Sequence, residues 1–168
     1  MLLGTKKHNR SLYITKSCDG IRVNRILADL GSSINLMTLK TLHALALGTY
    51  HLSTEKIIVQ GHNQHSQKAL GSITLPFKIR KLALEVKSHV INTDASYKVL
   101  LGRSWLHENY VVPSTLHQCV KHIKNDEVYR IDGEIQPFGV HEIHYDDAGY
   151  FVDTPKRGKL LQPRMMLS

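Results

Sequence analysis

Apolar and polar residues alternate over Ser11-Leu-Tyr-Ile-Thr15 and again over Ile21-Arg-Val-Asn-Arg-Ile-Leu-Ala28, with Asp19-Gly20 between the two runs. A period of two puts successive side chains on opposite faces of a strand, and Asp-Gly is a turn dipeptide, so the pattern predicts a β-hairpin. Leu36, Leu39, Leu42 and Leu45 then recur close to the helical period and predict a helix over 36–47, capped by Asn35 and ending near Gly48. Strand patterning returns over 55–60 and 69–77, and the polar stretch 61–67 between them makes a second hairpin with a glycine-bearing tip. Leu82, Leu84, Val86 and Val90 share one face of a half-buried strand over 81–91. A turn over 92–96 leads into the apolar run Lys98–Leu101, and Gly102-Arg103 opens a short helix carrying Ser104, Trp105 and Leu106. Pro113 opens a weaker strand candidate over 114–124, and Asn125-Asp126 turns it into 127–131. Beyond Asp132-Gly133 the periodicity fades. These patterns describe a mostly β domain over 9–131, a flexible leader over 1–8, and a mobile C-terminal tail or linker over 132–168.

The chemistry is concentrated where the first hairpin ends. Asp29 is the only carboxylate between Arg25 and Met37, and it follows the short apolar strand Ile26-Leu-Ala28. A carboxylate in that position has to be hydrogen-bonded or shared. Gly31 lets the backbone turn tightly with its N–H groups free to aim inward. Alone, Asp-x-Gly after an apolar strand is an ordinary turn, since both residue types favour turns for local reasons. A second motif changes this: Tyr97-Lys-Val-Leu-Leu-Gly-Arg-Ser-Trp-Leu106, an apolar run followed by Gly-Arg and a short helix. In this order the two motifs resemble the signatures of retropepsin-like aspartic proteases. The variant Asp29-Leu-Gly-Ser-Ser-Ile-Asn-Leu-Met37, with the segment Leu106–Cys119, is most similar to the protease domain of plant gypsy-type LTR retrotransposon polyproteins.

The resemblance implies a retropepsin-like acid-protease fold, a small closed β-barrel with a flap hairpin and one or two short helices. It implies Asp29 as the catalytic carboxylate and Leu30, Gly31, Ser32 and Ser33 as its loop. It makes Gly61, His62, Asn63 and Gln64 the tip of the flap, and Leu101, Gly102 and Arg103 the supporting motif. One chain offers a single catalytic Asp where the chemistry needs two, so the resemblance implies a homodimer with both copies of Asp29 at the two-fold axis. The substrate it implies is a polypeptide, the protein's own polyprotein. At one position the sequence departs from the family: Leu30 stands where a Ser or Thr hydroxyl usually bonds across the dimer. A binding module that keeps the fold without catalysis is therefore one rival reading, and a basic nucleic-acid-binding fragment is another.

Composition narrows the remaining classes. The 168 residues are 42% hydrophobic and 21% charged, enough for one globular domain with length to spare. No apolar run approaches the ~20 residues that span a bilayer, so no membrane partner is expected. The first residues lack the apolar core of a secretory signal, which places the expected site of action inside the cell, in the cytoplasm within a retrotransposon particle. The formal charge of +8 is spread along the chain and reads as a solvated surface with weak RNA affinity at most. Cys18 and Cys119 make no disulfide framework and read as free thiols. Among eleven histidines, His117, Cys119 and His122 cannot converge from one strand, and the pairs His62/His65 and His141/His144 lack further ligands at zinc spacing. Neither a metal nor another cofactor is expected.

Overall fold

The computed structural model describes residues 10–61, 65–79 and 82–139. In chain order its strands are β1 (Tyr13–Cys18), β2 (Ile21–Ala28), β3 (Leu36–Thr38), β4 (Ile58–Gln60), β5 (Ser66–Lys68), β6 (Gly71–Ile79), β7 (Leu82–Ile91), β8 (Val99–Leu101), β9 (Val111–Ser114), β10 (Cys119–Lys124) and β11 (Glu127–Asp132). Helix α1 (Leu39–Ala44) follows β3 directly, and α2 (Arg103–Glu108) follows β8. Six strands close a barrel in the order β1-β2-β8-β3-β7-β6. β4 and β5 form a separate two-stranded hairpin, and β11-β10-β9 form a three-stranded sheet. Among the described residues, no helix is long and apolar enough to cross a membrane.

The barrel closes over Ile14, Ile26, Met37, Leu42, Val99 and Leu106, each at most 1% exposed. The hairpin of β1 and β2 turns at Asp19-Gly20, where Gly20 has φ +81°, a conformation that costs glycine little. Trp105, 3% exposed, anchors α2 against the barrel by donating its indole N–H to the Glu85 carbonyl at 2.9 Å.

Three elements differ from the sequence reading. The hairpin expected from strands 55–60 and 69–77 has another second arm: β4 pairs with β5, which begins inside the stretch 61–67 read as loop, while β6 pairs with β7 and β1 in the barrel. The helix expected over 36–47 begins only at Leu39, because residues 36–38 form a strand pairing with β7 on one side and β8 on the other. All three of its residues are buried, so tertiary pairing overrides the leucine periodicity. Thr38, not Asn35, caps α1, its side chain accepting from the Thr41 amide. The strand expected over 114–124 is a turn at 115–118 between two strands, β9 and β10. Pro113 lies within β9, which is the edge of its sheet, where a missing N–H removes no ladder bond.

After β11 the chain returns to the barrel. The Gly133 amide donates to the Gln118 carbonyl at 2.8 Å and the Glu134 amide to the Tyr13 carbonyl at 2.7 Å. The sequence reading placed these residues in the C-terminal tail. Its remainder from 140 onward and the leader 1–8 lie outside the described residues.

Candidate active site

Asp29 is the first residue after β2, and its position follows from strand pairing. β2 runs parallel to β8, with Leu27 opposite Leu100 and Ala28 opposite Leu101. The Asp29 amide extends that ladder by donating to the Leu101 carbonyl at 3.0 Å. The carboxylate is half-buried, and its Oδ1 accepts the Gly31 amide at 2.7 Å. A charged acceptor makes that bond stronger than an ordinary amide bond and fixes the direction of the carboxyl group.

The loop after Asp29 is fastened to the second motif. Ser32 accepts from the Arg103 amide through its carbonyl at 2.8 Å, while its Oγ donates to the Ile34 carbonyl at 2.8 Å. Gly102 is the point of closest approach: a Cβ there would stand 2.3 Å from the Ile34 carbonyl oxygen, so only glycine admits the crossing. The Asn35 side chain bridges both sides, accepting from the Gly102 amide at 2.9 Å and donating to the Lys87 carbonyl at 2.9 Å. Leu101 and Gly102 are buried and Arg103 is exposed. Leu30, 47% exposed, and Ser33 face outward.

The β4–β5 hairpin pairs Ile58 with Lys68 and Gln60 with Ser66. The Gly61 amide closes its far end on the His65 carbonyl at 3.1 Å. His62, Asn63 and Gln64, the rest of the expected tip, lie outside the described residues. At the hairpin's base is an apolar cluster, with Leu36, Ala69, Ile91 and Leu100 buried and Leu27, Ile34, Val59 and Tyr97 packed against them half-exposed. Burial, then the charge of Asp29, then Tyr13, pushes the Tyr97 phenol up to about 12. Tyr97 packs in the same cluster as Leu27 and Leu100, the ladder pair just before Ala28–Leu101 and Asp29.

This architecture recurs in solved structures. The retroviral protease-like domain of Ddi1 from Leishmania major matches with a TM-score of 0.59 at 17% identity, over 74% of this chain and 94% of that one. The fold is retropepsin-like. A retropepsin-like aspartic protease from Rickettsia conorii also matches, with a TM-score of 0.45 at 24% identity, over 61% of this chain and 75% of that one. No protein-family model and no curated protein matches the chain.

Within the retropepsin-like barrel the structure brings together two of the three stretches singled out from sequence, Asp29–Ser33 and Leu101–Arg103. Sequence reasoning missed Asn35 and Tyr97 as parts of the site. A lone amide within Ile34-Asn-Leu-Met37 was the available signal for Asn35, since a polar side chain inside an apolar run needs partners. Tyr97 carried no signal beyond opening the second motif. The histidines have other roles: His122, 4% exposed, bonds through Nδ1 to the Asn109 carbonyl at 2.8 Å, and His117 through Nδ1 to Ser114 Oγ at 2.9 Å. Among the described residues no three His, Cys, Asp or Glu side chains group as a metal site.

Proposed function

We propose that the chain is an aspartic-type endopeptidase that acts as a homodimer and cleaves a retrotransposon polyprotein of the plant gypsy type. The observation carrying this reading is the seat of Asp29: a half-buried carboxylate oriented by the Gly31 amide at 2.7 Å, on a loop fastened to Gly102 and Arg103. That rigidity suits a group that must meet its own copy. Two carboxylates about 3 Å apart cannot both ionise, so the pair holds one proton. The ionised partner takes a proton from a water as the water attacks the peptide carbonyl, and the protonated partner donates to the carbonyl oxygen. The roles then reverse to protonate the leaving nitrogen. The β4–β5 hairpin is the flap, adding its backbone to an extended peptide and excluding water.

Leu30 bears on the dimer. Its side chain, 47% exposed directly after Asp29, is an apolar surface that a second copy would cover. Leu–Leu packing then substitutes for the hydroxyl bonds of the usual Ser or Thr, each worth about 1 kcal/mol.

The test is cleavage of a polyprotein fragment extending beyond this chain, by wild type and Asp29→Asn, at mildly acidic pH and over a range of protein concentration. The expected result is cleavage that disappears in the Asn variant, is blocked by pepstatin, and rises more steeply than linearly with concentration. Folded, demonstrably dimeric wild type that cleaves nothing but still binds peptide would replace the enzyme with a binding module.

A further inference from the structure

The segment after β11 makes two separate connections to β1 and β2, the hairpin that leads into Asp29. On one side, the Glu134 amide donates to the Tyr13 carbonyl at 2.7 Å, and the Phe138 ring meets the Tyr13 ring edge-on at 5.2 Å. The Tyr13 hydroxyl in turn donates to Ser96 Oγ at 3.0 Å. On the other side, Glu134 Oε2 accepts the Arg25 amide at 3.4 Å, and the Arg25 guanidinium lies 5.6 Å from the Phe138 ring centroid. Arg25 occupies a left-handed conformation, φ 54°, and its carbonyl accepts the Lys98 amide at 2.9 Å. Both routes begin at Glu134 and Phe138, and they end at Ser96 and Lys98. The residue between those two is Tyr97.

We propose that Glu134 and Phe138 are positioning residues for the candidate site, holding Tyr97 beside Asp29 by bracing Ser96 and Lys98 from both sides. The proposal rests on the protease reading for its consequence, since Tyr97 then forms part of the wall against which a peptide side chain binds next to the carboxylate. It gives residues 133–139 a role in the site although they follow β11. Tyr97 itself packs in the apolar cluster with Leu27, Leu36 and Leu100, next to the strand ends that carry Asp29.

The test uses the full chain with Glu134→Ala, Glu134→Gln, Phe138→Ala and the double Ala variant. Gln keeps a side-chain oxygen to accept the Arg25 amide and serves as the conservative rescue. The first readout needs no activity: amide exchange of the 96–98 peptide, compared with that of β6 and β7. The expected result is exchange about tenfold faster at 96–98 in the double variant, the scale of losing about one hydrogen bond, with β6 and β7 unchanged and Glu134→Gln like wild type. The second readout is peptide cleavage, with KM rising severalfold and kcat within about twofold. Unchanged exchange at 96–98 would overturn the proposal, and so would faster exchange spread equally over β6 and β7. Local loosening in a protein that cleaves nothing would retain the brace and remove the protease reading instead.

Discussion

Asn35 is 6% exposed with both ends of its amide occupied, joining the Asp29 loop, β7 and the Gly102 turn. Replacing it by alanine leaves the buried Gly102 amide and the part-buried Lys87 carbonyl without that partner. The expected loss is about 2–4 kcal/mol in urea unfolding, at roughly 1–3 kcal/mol per orphaned group. Gly102→Ala tests the same junction by volume: its Cβ meets backbone, not a side chain that can swing away. We expect a loss of about 2–3 kcal/mol, the range of an overpacked core position, and displacement of the Asp29 loop, seen as lost peptide binding at protein concentrations where the barrel is still folded. Cys18 is 1% exposed, and burial, with the charge of Asp19 second, pushes its thiol up to about 11. Its folded value lies above the ordinary 9.0, so its contribution to stability is present below that value and declines as pH rises toward 11. Alkylation at neutral pH is expected to be slow and to require opening of the barrel, and prompt labelling of the native protein would contradict this.

Element identity was decided unevenly. The β1–β2 hairpin and β7 are legible because one face of each is buried and the other solvated, which stamps a period of two on the sequence. β3 is not legible: its three residues are buried on both faces, and they run straight into a helix whose own leucines continue the spacing. Thr38 separates the two, and Thr38→Ala is expected to cost about 1 kcal/mol through loss of the cap. The corresponding loss in Asn35→Ala should be larger and should leave the helical signal of α1 intact, since Asn35 caps nothing. β9 was missed for a different reason: four residues with a proline carry too little pattern, and only pairing with β10 makes them a strand.

At the scale of the molecule, stability responds to pH through a histidine in β7. Desolvation holds the half-buried His89 below its ordinary 6.5, with Glu55 opposing and Lys87 assisting. The unfolded chain therefore binds more protons than the native one below pH 6.5, and stability falls as pH drops through that window. His89→Gln should flatten the decline in urea midpoint between neutral pH and roughly pH 5 relative to wild type. Any acidic optimum of cleavage is then bounded from below by this loss. Leu30→Asp is expected to raise the protein concentration needed for half-maximal cleavage by at least about tenfold, the scale of about 1.4 kcal/mol of lost association, while leaving the monomer's unfolding unchanged. By itself the sequence determined the β1–β2 and β10–β11 hairpins, the mostly β class, and the presence of an Asp-x-Gly turn and a distant Gly-Arg motif, because each is written in local periodicity or in residue types with few uses. Only the tertiary structure decided that Asn35 joins those motifs, that residues 36–38 are a strand, and that the chain after β11 returns to Tyr13 and Arg25. Those outcomes depend on which buried backbone groups find partners across the barrel, and such partners lie far apart in the chain.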